Sequence, residues 1–154
     1  MKAATARAAI LVRPTEPRDA AAIAALGQAC PDAAAWSANQ YEDAARANYQ
    51  GWLAEDNGAV VGFIITRIAA DEVEILNFAV MPDRRRLGIA SQLIERALEQ
   101  ATASGAGRAY LEVRASNSAA IALYEKNGFA RTGRRTGYYS SPAEDALLLS
   151  RNLS

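Results

Sequence analysis

A strand that runs into a basic turn and then into a helix constrains this chain more than any other feature. Residues 73–80 form a mostly apolar run that Met81-Pro82 stops, since proline has no N–H to give to a ladder. Arg84, Arg85 and Arg86 follow, then Gly88. Ile89, Leu93, Ile94, Ala97, Leu98 and Ala101 then make one helical stripe in a helix over 88–103. Ser104-Gly105-Ala106-Gly107 ends that helix, and Ala109 to Ala115 reads as a strand. Strand, helix and strand in this order predict a right-handed crossover and a parallel pair. The turn also has chemistry of its own. A helix N-terminus carries unpaired N–H groups and about half a positive charge. Arginines and a glycine just before it add charge and let a backbone approach closely. The turn therefore suits a phosphorylated ligand, a pyrophosphate above all. Taken alone, three arginines in a turn are usually only a solvated basic loop.

The remaining segments are short and mostly linked by hairpins. Residues 1–7 read as a flexible tail, and 8–154 as one domain. Ala8 to Arg13 is a first strand, closed by Pro14. Pro17 to Ala29 is an alanine-rich helix, broken by Pro31. Ser37 to Gln40 forms a capping box for a second helix to about Tyr49, with Trp36 just before the cap. Gly51–Glu55 and Ala59–Ile68 are strands joined at Asp56-Asn57-Gly58, a strong hairpin turn. Asn117 to Asn127 is a helix with Gly128 at its end, and Phe129–Tyr139 and Ala146–Ser150 are closing strands. The expected class is α/β (α+β) with a mixed, mostly antiparallel sheet of about seven strands and about four helices.

Composition removes several kinds of chemistry. The chain has 154 residues, enough for one domain with a proper core. Lys plus Arg and Asp plus Glu both total 17, so bulk electrostatic binding of nucleic acid or membrane is not expected. Local patches remain at Arg84–Arg86 and at Arg131, Arg134 and Arg135. There is no histidine, which excludes a His base, His-assisted nucleophiles and most zinc sites; no metal is expected. The single cysteine, Cys30, can form no intramolecular disulfide, which fits a reducing cytoplasm. No apolar run is long enough to span a bilayer, and no signal peptide is read at the start.

The second informative stretch is Leu111 to Tyr124. Tyr110, Glu112 and Arg114 share one face of a strand. A carboxylate in that position is either paired, with Arg114 or Arg108, or used. Asn117, Ile121 and Tyr124 share one face of the following helix. Asn117 has a plain alternative as an N-cap, and Tyr124 as a half-buried core aromatic.

These stretches together resemble a known family. Arg85-Arg86-Leu87-Gly88-Ile89-Ala90 is similar to the Gln/Arg-x-x-Gly-x-Gly/Ala acetyl-CoA signature of the GCN5-related N-acetyltransferase superfamily. Asn117-x-x-Ala120-x-x-Leu123-Tyr124-x-x-x-Gly128-Phe129 resembles its later hallmark. Within the superfamily, Leu111 to Asn117, Trp36-Ser37, Asn77 to Val80 and Gly137-Tyr138-Tyr139 resemble the bacterial ribosomal-protein-alanine N-acetyltransferases. The chain departs from common family residues at Ala35, where many members have Pro, at Arg85 (Gln) and at Ala90 (Gly).

The resemblance implies a single-domain fold whose central parallel strands splay apart, with acetyl-CoA as co-substrate in the opening. Its pantetheine would pair with backbone near Phe78, Ala79 and Val80. Its pyrophosphate would lie on the turn of Arg85, Arg86, Leu87, Gly88, Ile89, Ala90 and Ser91, with Asn117 and Tyr124 approaching from the other side. The resemblance places Glu112 as general base, through a water, ahead of Glu72 and Glu74 on or near the neighbouring strand. Tyr124 would protonate the leaving thiolate, and a backbone N–H near Phe78 to Val80 would hold the oxyanion. Trp36, Tyr138 and Tyr139 would contact a peptide. The implied acceptor is a protein N-terminus, the N-terminal alanine of a small-subunit ribosomal protein. The alternatives are a lysine or small-molecule amine as acceptor, or a non-catalytic acetyl-CoA sensor. A cytoplasmic monomer or weak dimer is expected.

Overall fold

A computed structural model describes residues 10–30, 33–34, 36–46, 49–85 and 87–153. The expected tail over 1–7, the start of the first strand and Arg86 lie outside these residues. The elements run β1 (Ile10–Pro14), α1 (Ala20–Ala29), α2 (Ala38–Arg46), β2 (Tyr49–Asp56), β3 (Ala59–Ala69), β4 (Glu72–Val80), α3 (Ile89–Ala103), β5 (Arg108–Arg114), α4 (Ser118–Lys126), β6 (Ala130–Tyr139) and β7 (Glu144–Asn152). Short 3₁₀ turns at Pro17–Asp19 and Pro82–Arg84 precede α1 and α3.

One seven-stranded sheet has the order β1-β2-β3-β4-β5-β7-β6. Only the β4–β5 pair is parallel, and α3 is its crossover. The β2–β3 hairpin turns at Asn57 and Gly58, whose φ values of 52° and 87° suit the tight turns that match strand twist. The α2 capping box forms as expected: Ser37 N–H donates to Gln40 Oε1 (2.8 Å), and Gln40 N–H donates to Ser37 Oγ (3.2 Å). The α3 stripe, Ile89, Leu93, Ile94, Ala97, Leu98 and Ala101, is buried throughout.

Two apolar layers sandwich the sheet. Leu53, Phe63, Ile65 and Ala79 face α1 and α2, with Ile23, Leu26 and Tyr41. Val73, Ile75, Leu111, Val113, Leu147 and Leu149 face α3 and α4. Because strand side chains alternate, Glu112 between Leu111 and Val113 points to the α1/α2 face, beyond the part those helices cover.

Two boundaries differ from the sequence reading. Tyr49 belongs to β2, not to the second helix, because it pairs with Arg67 of β3. The last strand extends from Glu144 to Asn152, wider than 146–150, because β7 lies between β5 and β6 and pairs with both. A central position imposes strand on polar ends that have no apolar alternation of their own.

The central pair opens. β4 and β5 pair only over Glu72↔Arg108, Val73↔Ala109 and Glu74↔Tyr110. The cause lies on the other edge of β4. Ile65 of β3 pairs with Asn77 and Thr66 with Ile75, so Leu76 is an extra residue, a bulge. A bulge bends its strand and increases local twist, which carries the end of β4 away from β5. Met81 N–H donates to Val61 O on β3 (2.8 Å). By alternation Ala79 also turns its backbone groups to β3, while Phe78 and Val80 turn theirs into the opening.

Candidate active site

The basic turn closes one end of this opening. Its arginines have separate tasks. Arg84 is bound inward, with Nε donating to Asp56 Oδ2 at 3.0 Å and Nη1 to Asp83, so it braces the turn against the β2–β3 hairpin. Arg85 Nε donates to Val80 O (3.4 Å) and its side chain stays exposed. Leu87 is exposed and Ile89 is buried. Gly88 is the N-cap of α3 with φ 79°, a left-handed conformation that favours glycine. A Cβ added there would meet no atom within 4 Å. The first-turn N–H groups of α3, up to Ala90 and Ser91, are thus approachable on an open surface. Ser91 Oγ accepts from Asn127 Nδ2 (3.3 Å), which ties the start of α3 to the end of α4.

Asn117 caps α4: its Oδ1 accepts from Ala120 N–H at 3.1 Å. The N-cap alternative is therefore real, and it leaves the side-chain nitrogen as the group that can meet a ligand. Tyr124 is buried, with its ring 6.0 Å from Phe78 and 5.6 Å from Phe129. Burial raises its pKa above the ordinary tyrosine value, and Tyr139 adds to the shift. Tyr124 therefore keeps its proton throughout the neutral range.

Glu112 differs from both pairings read from sequence. Arg108 pairs with Glu72 (2.7 Å), and Arg114 pairs with Glu144 (3.2 Å). The cation near Glu112 is Arg135 of β6, with Nε 2.9 Å from Oε2. The distance is short but the N–H is not aligned: Oε2 is buried and has no hydrogen-bond partner among the described residues. Glu72 and Glu74 are otherwise engaged. Glu72 holds Arg108, and Glu74 Oε1 accepts from Arg67 (2.7 Å) and Tyr110 (3.3 Å). Of these carboxylates, Glu112 has the buried oxygen without a donor.

The walls on the α1/α2 face come from the end of β6 with the loop that follows it, and from the loop before α2. Tyr138 and Tyr139 stack edge to face, with centroids 5.0 Å apart. Arg114 lies 4.4 Å over the Tyr139 ring and Arg135 5.6 Å over that of Tyr138. Glu144 fixes this loop by accepting from Arg114 and from Ser116 N–H (2.6 Å). Tyr139 is raised above its ordinary pKa by burial first and by the charge of Glu112 second. It thus feels Glu112 and also influences Tyr124. Trp36 is on the opposite loop, with its ring 5.2 Å from Tyr41.

Asn77 is a residue whose task the sequence did not disclose. It is 4% exposed. Its Oδ1 accepts from Ala34 N–H and Phe78 N–H, both at 3.0 Å, and its Nδ2 donates to Ala34 O (3.2 Å) and Tyr41 Oη (2.6 Å). One side chain pins the Trp36 loop and α2 to β4. Burial pushes the Tyr41 hydroxyl up to about 12, so it stays a neutral partner. The available signal was an amide inside the apolar run Ile75–Val80. Asn77→Leu should lower stability by about 1–3 kcal/mol, because it leaves buried polar groups unpaired. It should also loosen α2, which Tyr41 ties to β4 through this amide. Urea unfolding and amide hydrogen exchange test this, and unchanged exchange in α2 would count against the pinning role.

Comparisons with known proteins give the family and the fold. Residues 18–129 match the acetyltransferase (GNAT) family. The chain is 36% identical over 121 residues to the [ribosomal protein bS18]-alanine N-acetyltransferase of Escherichia coli K12, covering 77% of this chain and 82% of that one. It is similar to the crystal structure of the ribosomal-protein-S18-alanine N-acetyltransferase from Escherichia coli, with TM-score 0.83, 33% identity and 94% of each chain covered. It also shares the fold of Arabidopsis thaliana NAA60 in complex with acetyl-CoA, at TM-score 0.83 and 21% identity, over 94% of this chain and 98% of that one.

Proposed function

The chain belongs to the acetyltransferase (GNAT) family, and on that premise we propose that it transfers acetyl from acetyl-CoA to the α-amino group of a protein N-terminus, with the N-terminal alanine of a bS18-type ribosomal protein as its acceptor in the cytoplasm. The observation that carries this reading is the opening between β4 and β5, with Tyr124 on the α4 side and Glu112 on the α1/α2 side. Two substrates can then approach from opposite faces and meet where the strands part.

The residues fit acetyl-CoA as co-substrate. The β4 edge that turns into the opening offers an extended pantetheine the Phe78 carbonyl and the Val80 N–H, since Asn77 and Arg85 hold the Phe78 N–H and the Val80 carbonyl. The Cβ-free surface at Gly88 and the first turn of α3 suit a pyrophosphate. Bound there, acetyl-CoA supplies an activated acyl group. Arg85, the amide of Asn117 and the edge of Ser91 border that path.

This chain then has to move protons and stabilise charge. An α-amine has a pKa near 8, so much of it is protonated at neutral pH. Glu112 accepts the proton at an oxygen that has no hydrogen-bond donor among the described residues. Phe78 N–H is already given to Asn77, so Val80 N–H is the backbone donor facing the carbonyl oxygen as charge develops there. Tyr124, still protonated, donates to the departing sulfur. Cys30 is buried and takes no part.

Tyr124→Phe should lower kcat about 10²-fold with little change in either KM, since it removes a donor used as the sulfur leaves. The raised pKa also means that the wild-type rate has no alkaline limb from Tyr124 near pH 10, where an ordinary tyrosine ionises. Full kcat in the Phe variant would remove the assigned role. A panel of thiol-release assays tests the acceptor class. An alanine-starting peptide should be preferred to polyamines and aminoglycosides. Preference for the small amines would favour the second acceptor class, and no release with any amine would favour a sensor.

A further inference from the structure

We propose that Arg135 is a gating residue that occupies the acceptor's ammonium position at Glu112 in the free enzyme and is displaced when the acceptor amine docks. This inference rests on the N-terminal acetylation reading and on Glu112 as the group that meets the amine.

Three observations support it. First, the contact is a charge contact without hydrogen-bond alignment: Arg135 Nε is 2.9 Å from Glu112 Oε2, yet that oxygen has no donor. A permanent structural pair would be expected to use its fork of donors. Second, exposure is asymmetric. The Glu112 side chain is 13% exposed and that of Arg135 59%, so the cation reaches a buried anion from the solvent side, the side an acceptor must use. Third, the arginine already has a second partner on the solvent side and sits at a break in strand pairing. It lies over the Tyr138 ring at 5.6 Å, and Tyr138 is itself exposed. The β6–β7 register breaks between Arg135 and Tyr139. The other arginine of this face, Arg114, is held elsewhere, by Glu144 and Pro142 O.

A guanidinium and a primary ammonium are both cationic donors to carboxylate, so they compete for one oxygen. The competition excludes a neutral or poorly fitting acceptor, which cannot replace the arginine's charge. It also keeps a counter-charge on Glu112 between turnovers. Arg135 acts through Glu112 and is displaced before the acyl group moves, so it is a positioning residue.

The test compares wild type, Arg135→Ala and Arg135→Lys, using thiol release from acetyl-CoA with an alanine-starting peptide. In Arg135→Ala the peptide KM should fall about two- to fivefold, the worth of one half-exposed ion pair, and the acetyl-CoA KM should not change. Methylguanidinium should inhibit Arg135→Ala competitively against peptide and leave wild type nearly unaffected, because wild type already holds its own guanidinium there. Arg135→Lys should restore a wild-type peptide KM. An unchanged or raised peptide KM in Arg135→Ala, or equal inhibition of both proteins by methylguanidinium, overturns the gate while leaving the acetylation reading intact. A wild-type protein that releases thiol with no alanine-starting peptide overturns that reading, and the gate with it.

Discussion

Glu112→Gln should lower kcat/KM by about 10²- to 10⁴-fold, the usual contribution of a positioned general base. The variant keeps the shape of the side chain and loses its ability to accept a proton. Stability should change little. The partner it would leave, Arg135, is more than half exposed, and exposed pairs contribute only about 0–1 kcal/mol. The alternatives make the result informative. Glu74 is held by Arg67 and Tyr110, and Glu72 by Arg108, so neither is free to take over without breaking a contact. A Gln variant whose kcat/KM stays within about tenfold of wild type would move the base to one of them.

Gly88→Glu should raise the KM for acetyl-CoA by about 10- to 100-fold, the loss of one charge-assisted hydrogen bond's worth of binding. The peptide KM should stay within about twofold, since the turn is remote from the acceptor face in this account. The substitution has two effects that must be separated. At φ 79° a side chain brings backbone strain of about 1–2 kcal/mol, although no neighbour crowds it. The carboxylate also puts negative charge where the pyrophosphate should rest. Gly88→Ala has the strain without the charge, so the difference between the two variants isolates the anion site. Equal effects on both substrates would contradict a cofactor site at this turn.

Much of this arrangement was legible in the sequence where local chemistry decides it. The α3 stripe, the Asn57-Gly58 hairpin and the Ser37–Gln40 cap are set by residues within a turn or two of one another, and each formed as read. The parallel pair followed from the order strand, helix, strand. Partners distant in sequence were not legible. Glu112 and Arg135 are brought together by β7, which lies between their strands, and no spacing rule links them. The same holds for Asn77 and Ala34, which are 43 residues apart. The bulge at Leu76 was hidden too, because it depends on the register of β3 against β4, yet it is what opens the sheet. The basic turn read first as a uniform patch. The structure divides it, with Arg84 bracing Asp56 and Arg85 left exposed beside Gly88.

The most direct measurement of the central claim is where the acetyl group ends up. Wild-type protein is incubated with acetyl-CoA and an alanine-starting peptide that also contains a lysine, alongside its N-terminally blocked twin, and fragmentation mass spectrometry locates the product. This account predicts a single acetyl on the α-nitrogen of the alanine and none on the blocked peptide. Acetylation of the lysine, or of the blocked peptide at a similar rate, would contradict it.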